Sequence, residues 1–405
     1  MLHGYIAFEI QAEIIKKLPF KSLIRFRSVS KAWKSLIHSH DFITYHSNHS
    51  IKVPYILLTY DGSNSSMQNN GLSFANDGYN YNKHTYVSIV DDETFPLQKV
   101  SLTLPRLVKM LQRPSVIGCS HGLLCLYNED DCYSGNGTFV LWNLSIGNAV
   151  AVVVRDYVKY ETVLGFGVCR ETMDPKIVMI THGDSAWDNE SVNFTPLEVK
   201  VFALSTGAWR RPRCNLPSKS VKFYYRRNSV DVGGVLYWLA CDTVIADCQI
   251  RSKCNLLVSF DITTEEFREV NLSDRLAPPY DNLSIYKLRE SLVVYERDID
   301  VVWMMEDGVP KTFTKLFVIR KPYPPIVYVF VRGFRKTGEP LVQTEEYPPS
   351  PRLLGVYDPV SKRVHNIEID GIHKSFSVHS YTETLLLLDQ PNDKVFDTKI
   401  LKKRG

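Results

Sequence analysis

The stretch YIAFEIQAEIIKKLPFKSLIRFRSVSKAWKSLIHSHDFITYH, residues 5–46, determines how the rest of the chain is interpreted. Its first apolar residues recur at helical spacing and share one side of a helix; they are Ile6, Ile10, Ile14, Ile15 and Leu18. Pro19 ends that helix, because proline lacks the amide hydrogen and disfavours helix in the residue before it. Two further apolar groups predict a second and a third helix, the latter capped by Ser30: Leu23, Phe26 and Val29, then Trp33, Leu36 and Ile37.

These residues resemble an F-box. The matching pieces are Phe8-Glu9-Ile10, Ile14-Ile15, Leu18-Pro19, Lys21-Ser22-Leu23, Arg25-Phe26-Arg27, Val29-Ser30-Lys31, Trp33 and Leu36-Ile37. Ala7 departs from the family, which usually carries proline at this place. The resemblance implies docking onto a Skp-type adaptor, and through it onto a cullin, in a ubiquitin ligase. An N-terminal helical cap on a β domain remains the alternative.

The helical module divides into residues expected to bind and residues expected to support. We expect the adaptor contacts to come from Ile6, Phe8, Ile10, Leu18, Pro19 and Leu23. We expect the module's own core to contain Ile14, Phe26, Val29 and Trp33. Three helices of this size bury little surface by themselves, so the module is expected to lean on another protein.

Charge and composition exclude several classes of protein. The 405 residues include 48 basic and 44 acidic side chains, and the net charge of +4 is already reached within residues 1–46. The remainder is neutral and lacks the broad basic face of a nucleic-acid binder. No segment has the roughly 18 apolar residues that span a bilayer, and we expect no secretory signal. The eight cysteines are therefore expected to be reduced thiols in the cytosol or nucleus.

After the helical module the pattern changes to strands separated by polar turns. An apolar run ending at an aromatic residue recurs in six copies, anchored on residues 89, 142, 202, 260, 303 and 357. The mean step of about 54 residues predicts a β-propeller, and its irregularity leaves about six to eight blades. A pair of β-sandwiches is the alternative. We expect an all-α F-box module, a linker and a mainly-β propeller-like domain over residues 1–46, 47–54 and 55–400.

The strand-rich part also resembles the F-box-associated domain of the large plant F-box family. The matching segments are Ile117–Cys125, Leu141-Trp142-Asn143, Gly165-Phe166-Gly167, Val199–Trp209, Gly233–Ala240 and Leu256–Arg268. His121 and Leu144 stand where the family often has asparagine and proline. Because a propeller ring closes by pairing its first and last strands, we expect Tyr55–Tyr60 and Leu385–Asp389 in the same or adjoining blades.

Metal and cofactor chemistry finds little support in the sequence, and we expect neither group. The best metal candidates are Cys119, His121, Cys125 and Cys132, followed by Cys241, Cys248 and Cys254. Both sets lack the short paired spacing of structural zinc, so they are interpreted as buried thiols. The histidines of the following stretch are interpreted as part of a solvated linker: His38, His40, His46 and His49.

Other motifs also have structural interpretations. Gly165-Phe166-Gly167 lacks the helix of a phosphate-binding loop and indicates close strand packing. The tryptophans of the repeat are interpreted as packing between blades: Trp142, Trp209, Trp238 and Trp303. Loop carboxylates that a glycosidase could pair are interpreted as solvated: Glu129, Asp130, Asp131, Asp184, Asp188 and Glu190.

The sequence therefore predicts a substrate-recognition subunit of an SCF-type ubiquitin ligase, in which the β domain captures a target protein and the chain itself catalyses no reaction. Two alternatives stay open: a hydrolytic, glycosidase-like propeller and a ligase-independent binding scaffold. Long polar connections are the candidate capture loops: Asp61–Asn82, Asn128–Gly137, Gly183–Thr195 and Gly338–Arg352.

Overall fold

The structure is a computed structural model, and its helical part comes first in the chain. It describes residues 6–50, 52–61, 84–112, 114–129, 136–155, 162–181, 197–213, 215–218, 220–224, 229–246, 249–278, 282–308, 311–320, 326–346, 352–371 and 375–399. The N-terminal helices are α1 (Phe8–Lys16), α2 (Phe20–Phe26), α3 (Lys31–Ile37) and α4 (His40–His49). Among the described residues, no helix is long and apolar enough to cross a membrane.

Local sequence explains where these helices begin. Pro19 precedes α2 in an extended conformation, which separates it from α1 as the sequence predicts. The side chain of Ser30 accepts a hydrogen bond from the amide of Trp33 at 3.1 Å and caps α3, also as predicted. Ser39 caps α4 in the same way through the amide of Phe42 at 3.3 Å. Helix α4 continues to His49, three residues past the expected end of the module at residue 46.

The strands form six separate antiparallel sheets, with one parallel addition. Blade 1 contains β1 (Pro54–Asp61), β2 (His84–Val90), β3 (Lys99–Ser101) and, from the end of the chain, β25 (Ser377–Thr382). A short helix, α5 (Arg106–Lys109), follows β3. Blade 2 contains β4 (Ser115–Ser120), β5 (Leu123–Glu129), β6 (Gly137–Asn143), β7 (Ala149–Arg155) and β26 (Lys394–Lys399). Blade 3 contains β8 (Thr162–Val168), β9 (Pro175–Thr181), β10 (Glu198–Ala203) and β11 (Ala208–Arg210).

The remaining three sheets follow in chain order. Blade 4 contains β12 (Val221–Phe223), β13 (Val230–Val232), β14 (Val235–Ala246), β15 (Gln249–Asp261) and β16 (Phe267–Asn271). Blade 5 contains β17 (Leu283–Leu288), β18 (Ser291–Glu296), β19 (Val301–Glu306) and β20 (Thr312–Val318). Blade 6 contains β21 (Ile326–Phe334), β22 (Pro340–Glu346), β23 (Arg352–Asp358) and β24 (Arg363–Gly371).

The sheets close into a six-bladed β-propeller. Neighbouring inner strands contact one another around the ring, in the order β25, β4, β8, β13, β17, β21 and back to β25. Each of the six repeat anchors predicted from the sequence lies on the third strand of a different blade, namely β2, β6, β10, β15, β19 and β23. The propeller prediction is confirmed, and the blade number is the lower end of the expected range.

Ring closure uses a different C-terminal strand from the one expected. Strand β1 pairs with β25, with Leu57 opposite His379, whereas Leu385–Asp389 forms a buried turn. The strand assignment was wrong because a short run of leucines does not by itself distinguish a strand from another buried segment. The segment nevertheless packs on blade 2, which adjoins the blade of β1 as expected. The strand that closes the ring, β25, has a polar sequence because its Ser377 and His379 line the central channel.

Large side chains and glycines join the blades, as the sequence analysis predicts. The ring of Trp142 in blade 2 meets Tyr86 of blade 1 edge-on, with centroids 5.2 Å apart. Trp238 of blade 4 donates its indole N–H to the carbonyl of Leu164 in blade 3 at 2.9 Å. A Cβ atom added to Gly165 would lie 2.4 Å from Cζ2 of Trp238, so only glycine lets these two blades approach this closely.

Candidate functional site

The N-terminal module leaves an unusual amount of apolar surface exposed. Ile6, Phe8, Ile10, Ile14 and Val29 are 43–60% exposed, although each is a large hydrophobic residue. Fully burying one such side chain contributes about 1.5–3 kcal/mol, so exposed neighbours of this kind favour a partner that covers them. We call these five residues the apolar surface.

A groove of about 470 Å³ lies beside the apolar surface. Ile6 and Ile14 belong to both, and the apolar lining is completed by Ile15, Leu18, Phe26 and Trp33. The groove is held open by fixed side chains, because the indole N–H of Trp33 donates to Gln11 at 2.9 Å and its ring packs against Phe26 at 5.4 Å.

The structure buries one of the predicted contact residues and exposes two of the predicted core residues. Pro19 is exposed and Leu18 is half-buried, so both can be reached by a partner. Leu23, however, is completely buried and does not lie on the exposed surface of the module. Ile14 and Val29 were expected in the module's core and lie on its surface instead. The helical period gives the faces of each helix, but tertiary packing decides which face is covered.

The module is packed onto the propeller through a shared core. Ile37, Phe42 and Ile43 are buried in the same hydrophobic cluster as Met173 of blade 3 and the segment Leu385–Leu388. The four leucines are at most 5% exposed, which explains why they follow one another without alternation. The position of the module is therefore fixed relative to the blades.

The histidine-rich stretch forms helix α4 and is not a linker, although its His40 and His49 are exposed. Helix α4 contains His40, His46 and His49, and His46 is buried with only 3% exposure. Burial lowers the pKa of His46. Sequence reasoning missed α4, although two signals could have found it: Ser39 as a capping residue, and helical spacing from Phe42 to His46.

One asparagine fastens the leucine segment to blade 2. The side-chain amide of Asn143 donates to the carbonyl oxygens of Thr384 at 2.9 Å and Leu386 at 2.6 Å. Asn148 adds a hydrogen bond to the carbonyl of Leu387 at 3.0 Å. Buried carbonyl groups need such donors, so these contacts hold the support on which the module rests.

No three-residue metal-ligating cluster occurs within the part of the chain that the structure describes. Cys125 is completely buried in the core of blade 2, and Cys119 lies on the neighbouring strand β4. Cys132 and Cys248 lie outside the described residues, as do five of the six loop carboxylates named above; Glu129 is the last residue of β5.

Ser120, His121 and Asp231 meet at the mouth of the central channel, but not in the order of a catalytic triad. In a triad the carboxylate holds the imidazole, which in turn contacts the hydroxyl. Here the hydroxyl of Ser120 donates directly to Asp231 and lies 3.0 Å from Nδ1 of His121. Burial, followed by the charges of Lys52, Lys287 and Arg170, lowers the pKa of His121 to about 4. An imidazole of that pKa is a weak base at neutral pH.

The strands that flank the candidate capture loops lead to one end of the propeller. Three of these loops connect the end of a second strand to the start of a third strand, in blades 1, 2 and 3. The prediction of a loop over Gly338–Arg352 was wrong for most of its length, because Pro340–Glu346 forms β22 and only residues 347–351 connect it to β23. Large parts of these segments lie outside the described residues: most of Asp61–Asn82 and Asn128–Gly137, all of Gly183–Thr195 and the end of Gly338–Arg352. The strands that lead into these loops begin at the face that carries the module and run away from it.

The helical module and the ring together define an F-box protein with a propeller. The sequence profile of the F-box domain matches residues 8–45, and that of the F-box associated beta propeller domain matches residues 72–390. The chain belongs to this family. F-box protein CPR1 of Arabidopsis thaliana is 26% identical over 406 residues, which cover 94% of this chain and 89% of the relative.

Similarity was also found to a second relative and to one solved structure. F-box protein At3g07870 of Arabidopsis thaliana is 24% identical over 423 residues, covering 95% of this chain and 92% of the relative. Among solved structures, the β-propeller domain of the Trilobed protease from Pyrococcus furiosus covers 64% of this chain and 74% of its own length, with 18% identity and a TM-score of 0.35.

Proposed function

We propose that this chain is the substrate-recognition subunit of an SCF-type cullin ubiquitin ligase. The observation that carries the proposal is the apolar surface on a module that belongs to the F-box family. In this proposal a Skp-type adaptor covers that surface, and the propeller captures a target protein. The excess of positive charge in residues 1–46 favours an acidic adaptor.

We assign the adaptor contacts to a revised set of residues. Ile6, Phe8, Ile10, Leu18 and Pro19 are retained because they are exposed or reachable. Ile14 and Val29 are added because of their exposure, and Leu23 is reassigned to the core beneath them. In this assignment the groove between α1 and α3 receives an apolar side chain of the adaptor.

The contribution of such a subunit is proximity and not chemistry. Tethering a target lysine near a carried ubiquitin raises its effective concentration without a new catalytic group. The arrangement of Ser120, His121 and Asp231 supports this non-enzymatic role. Among the described residues, no carboxylate forms a hydrogen bond with the imidazole of His121 that would orient it as a base.

The target surface in this proposal is the face of the propeller opposite the module. Strands β1, β5, β9 and β22 run to this face, and seven residues of strand extend about 23 Å. A target held there would stand on the far side of the ring from the adaptor. This geometry keeps target binding and adaptor binding from competing for the same surface.

Point substitutions on the apolar surface test the adaptor role. Full-length chain carrying Phe8→Glu and Ile10→Glu should recover at most about one tenth of the Skp-type adaptor that the native chain recovers on co-purification. Val360→Glu is the matched control, since Val360 is 89% exposed but lies on the propeller. Undiminished recovery by the double variant would overturn the proposal.

Removing residues 1–46 is the weaker experiment, because it would expose the core shared by the module and the propeller. The point variants leave that core intact. Their folding is checked by comparing melting temperatures with that of the native chain.

A further inference from the structure

A cavity of about 860 Å³ opens at the mouth of the central channel, on the face that carries the module. Residues of all six blades line it, and Asn48 and Lys52 of the N-terminal segment stand at its rim. The channel continues inward past Lys287 into a second cavity of about 370 Å³. The first volume lies within the range of about 300–1,000 Å³ that is typical of small-molecule sites.

Positive charge dominates the lining of the larger cavity. Six cationic side chains contribute to it: Lys52, Arg170, Lys287, Arg289, Arg335 and Lys336. The carboxylates that contribute are four: Asp91, Asp231, Glu290 and Asp307. The lining of the inner cavity adds the cations Arg297 and Arg332, and it shares the carboxylate of Asp231 with the larger cavity.

Two of the cations are neutralised locally by carboxylates. Asp91 lies 3.0 Å from the Nε atom of Arg335, and Glu290 lies 3.2 Å from the ammonium of Lys287. Asp307 is turned outward and pairs at 3.1 Å with Lys311, which does not line the cavity.

The fourth carboxylate is also engaged away from the cations. Asp231 accepts hydrogen bonds from the hydroxyl of Ser120 and from the amide of Gly234 at 2.9 Å. Only two of the four carboxylates thus pair with cations of the lining, and part of its positive charge is left uncompensated.

Four cations form no ion pair with a carboxylate among the residues that the structure describes: Lys52, Arg170, Arg289 and Lys336. Arg289 is nevertheless held in place, because its Nε and Nη2 atoms donate to the carbonyl oxygens of Lys336 at 2.7 Å and Thr337 at 3.3 Å. Hydrogen bonds to neutral carbonyls fix the guanidinium and leave its charge available.

The cations act on the same point although they come from separate elements. Lys52 precedes β1, Arg170 follows β8 in blade 3, and Lys287 belongs to β17 in blade 5. All three disfavour the charged form of His121, after burial as the main cause of its lowered pKa. An uncharged imidazole surrounded by three cations is the mark of a region of positive potential, which would attract an anion.

We propose that the channel mouth binds a compact polyanion, a small molecule that carries two or more phosphate groups. Several separated cations match several anionic groups better than one, and the volume suits a small molecule. Because Lys52 comes from the segment that joins the module to the ring, the bound anion would contact both parts of the chain. The site is separate from the apolar surface, so it stands or falls independently of the adaptor role.

Isothermal titration of the full-length chain with inorganic tripolyphosphate tests this site. We expect saturable binding that weakens as salt is raised from low concentration to about 0.15 M. Lys52→Glu and Arg170→Glu should each weaken binding by at least about tenfold. Both side chains are exposed, so their replacement leaves the core intact. Lys315→Glu is the control, since Lys315 is an exposed lysine of β20 that lies outside both cavities.

Three outcomes would overturn the proposal. The first is no binding of tripolyphosphate by the native chain at low salt. The second is equal binding by the native chain, both mouth variants and the control, which would indicate general charge attraction. The third is a glutamate-rich peptide of matched charge that binds more tightly than tripolyphosphate, which would assign the mouth to an acidic protein segment. Lys52→Gln distinguishes loss of a cation from added repulsion, and it too should weaken binding.

Discussion

Replacing Asn143 by aspartate separates two tasks of one buried side chain. Its oxygen accepts hydrogen bonds from the backbone amides of Ser145 at 2.8 Å and Ile146 at 3.1 Å, which shapes the turn after β6. Its nitrogen donates to the carbonyls of Thr384 and Leu386, which holds the leucine segment. Aspartate retains the first task and loses the second, because a carboxylate only accepts.

The turn itself tolerates aspartate, as two other blades show. Asp261 occupies the corresponding turn of blade 4 and accepts from the amides of Thr263 at 2.8 Å and Thr264 at 3.0 Å. Asp358 plays the same part in blade 6 and accepts from the amide of Val360 at 2.8 Å. The cost of Asn143→Asp therefore arises from the lost contacts to the C-terminal segment and from burying a carboxylate beside its carbonyl oxygens.

The expected cost follows from the two carbonyl groups left without a donor. Each buried unsatisfied group costs about 1–3 kcal/mol, so Asn143→Asp should lower the free energy of unfolding by roughly 2–6 kcal/mol. Urea unfolding followed by tryptophan fluorescence measures the change, and Asp261→Asn is the control, expected within about 0.5 kcal/mol of the native chain. Native stability in the Asn143→Asp variant would refute the reasoning.

Two further substitutions probe contacts between blades 3 and 4. Burial opposes ionisation of Glu265, but hydrogen bonds from Arg210 and Lys176 outweigh burial and lower the pKa of Glu265 in the folded protein. The ionised carboxylate therefore stabilises the fold at pH values above the pKa of Glu265 in the unfolded chain. This stabilisation is lost as pH falls through the pKa in the folded protein. Glu265→Gln should therefore lower the free energy of unfolding by about 3 kcal/mol at neutral pH and by less in acid. Urea unfolding at both pH values measures the change, and an equal loss at both would contradict the stabilising role of the ionised carboxylate. Gly165→Ala should cost about 1–3 kcal/mol in the same assay, because its methyl group would overlap Trp238, and an unchanged midpoint would show that the blades can separate freely.

The repeat architecture could be predicted because its signal is local and recurs. Each anchor, such as Trp142 or Phe260, lies on a third strand whose buried side chains and following turn are encoded within a few residues. Six copies therefore identified all six blades. The closing strand Ser377–Thr382 escaped prediction because the channel removes the need for apolar residues on one of its faces.

The helical module shows the complementary limit. Its helices and the cap at Ser30 follow from spacing and residue type. Whether Leu23 or Ile14 is covered depends on contacts that the helical period does not encode. Likewise, the amide of Asn143 reaches a segment more than 240 positions later, and no local pattern marks such a contact.

The seat of the module on Leu385–Leu388 has a consequence for how a ligase built on this chain would work. The last part of the chain supports the first, so the module can take its place only after the ring has been completed by β25. A nascent or C-terminally truncated chain would lack that seat. Under the function proposed here, only a completely folded chain would present both binding surfaces. The propeller that holds the target and the correctly positioned adaptor surface would form together.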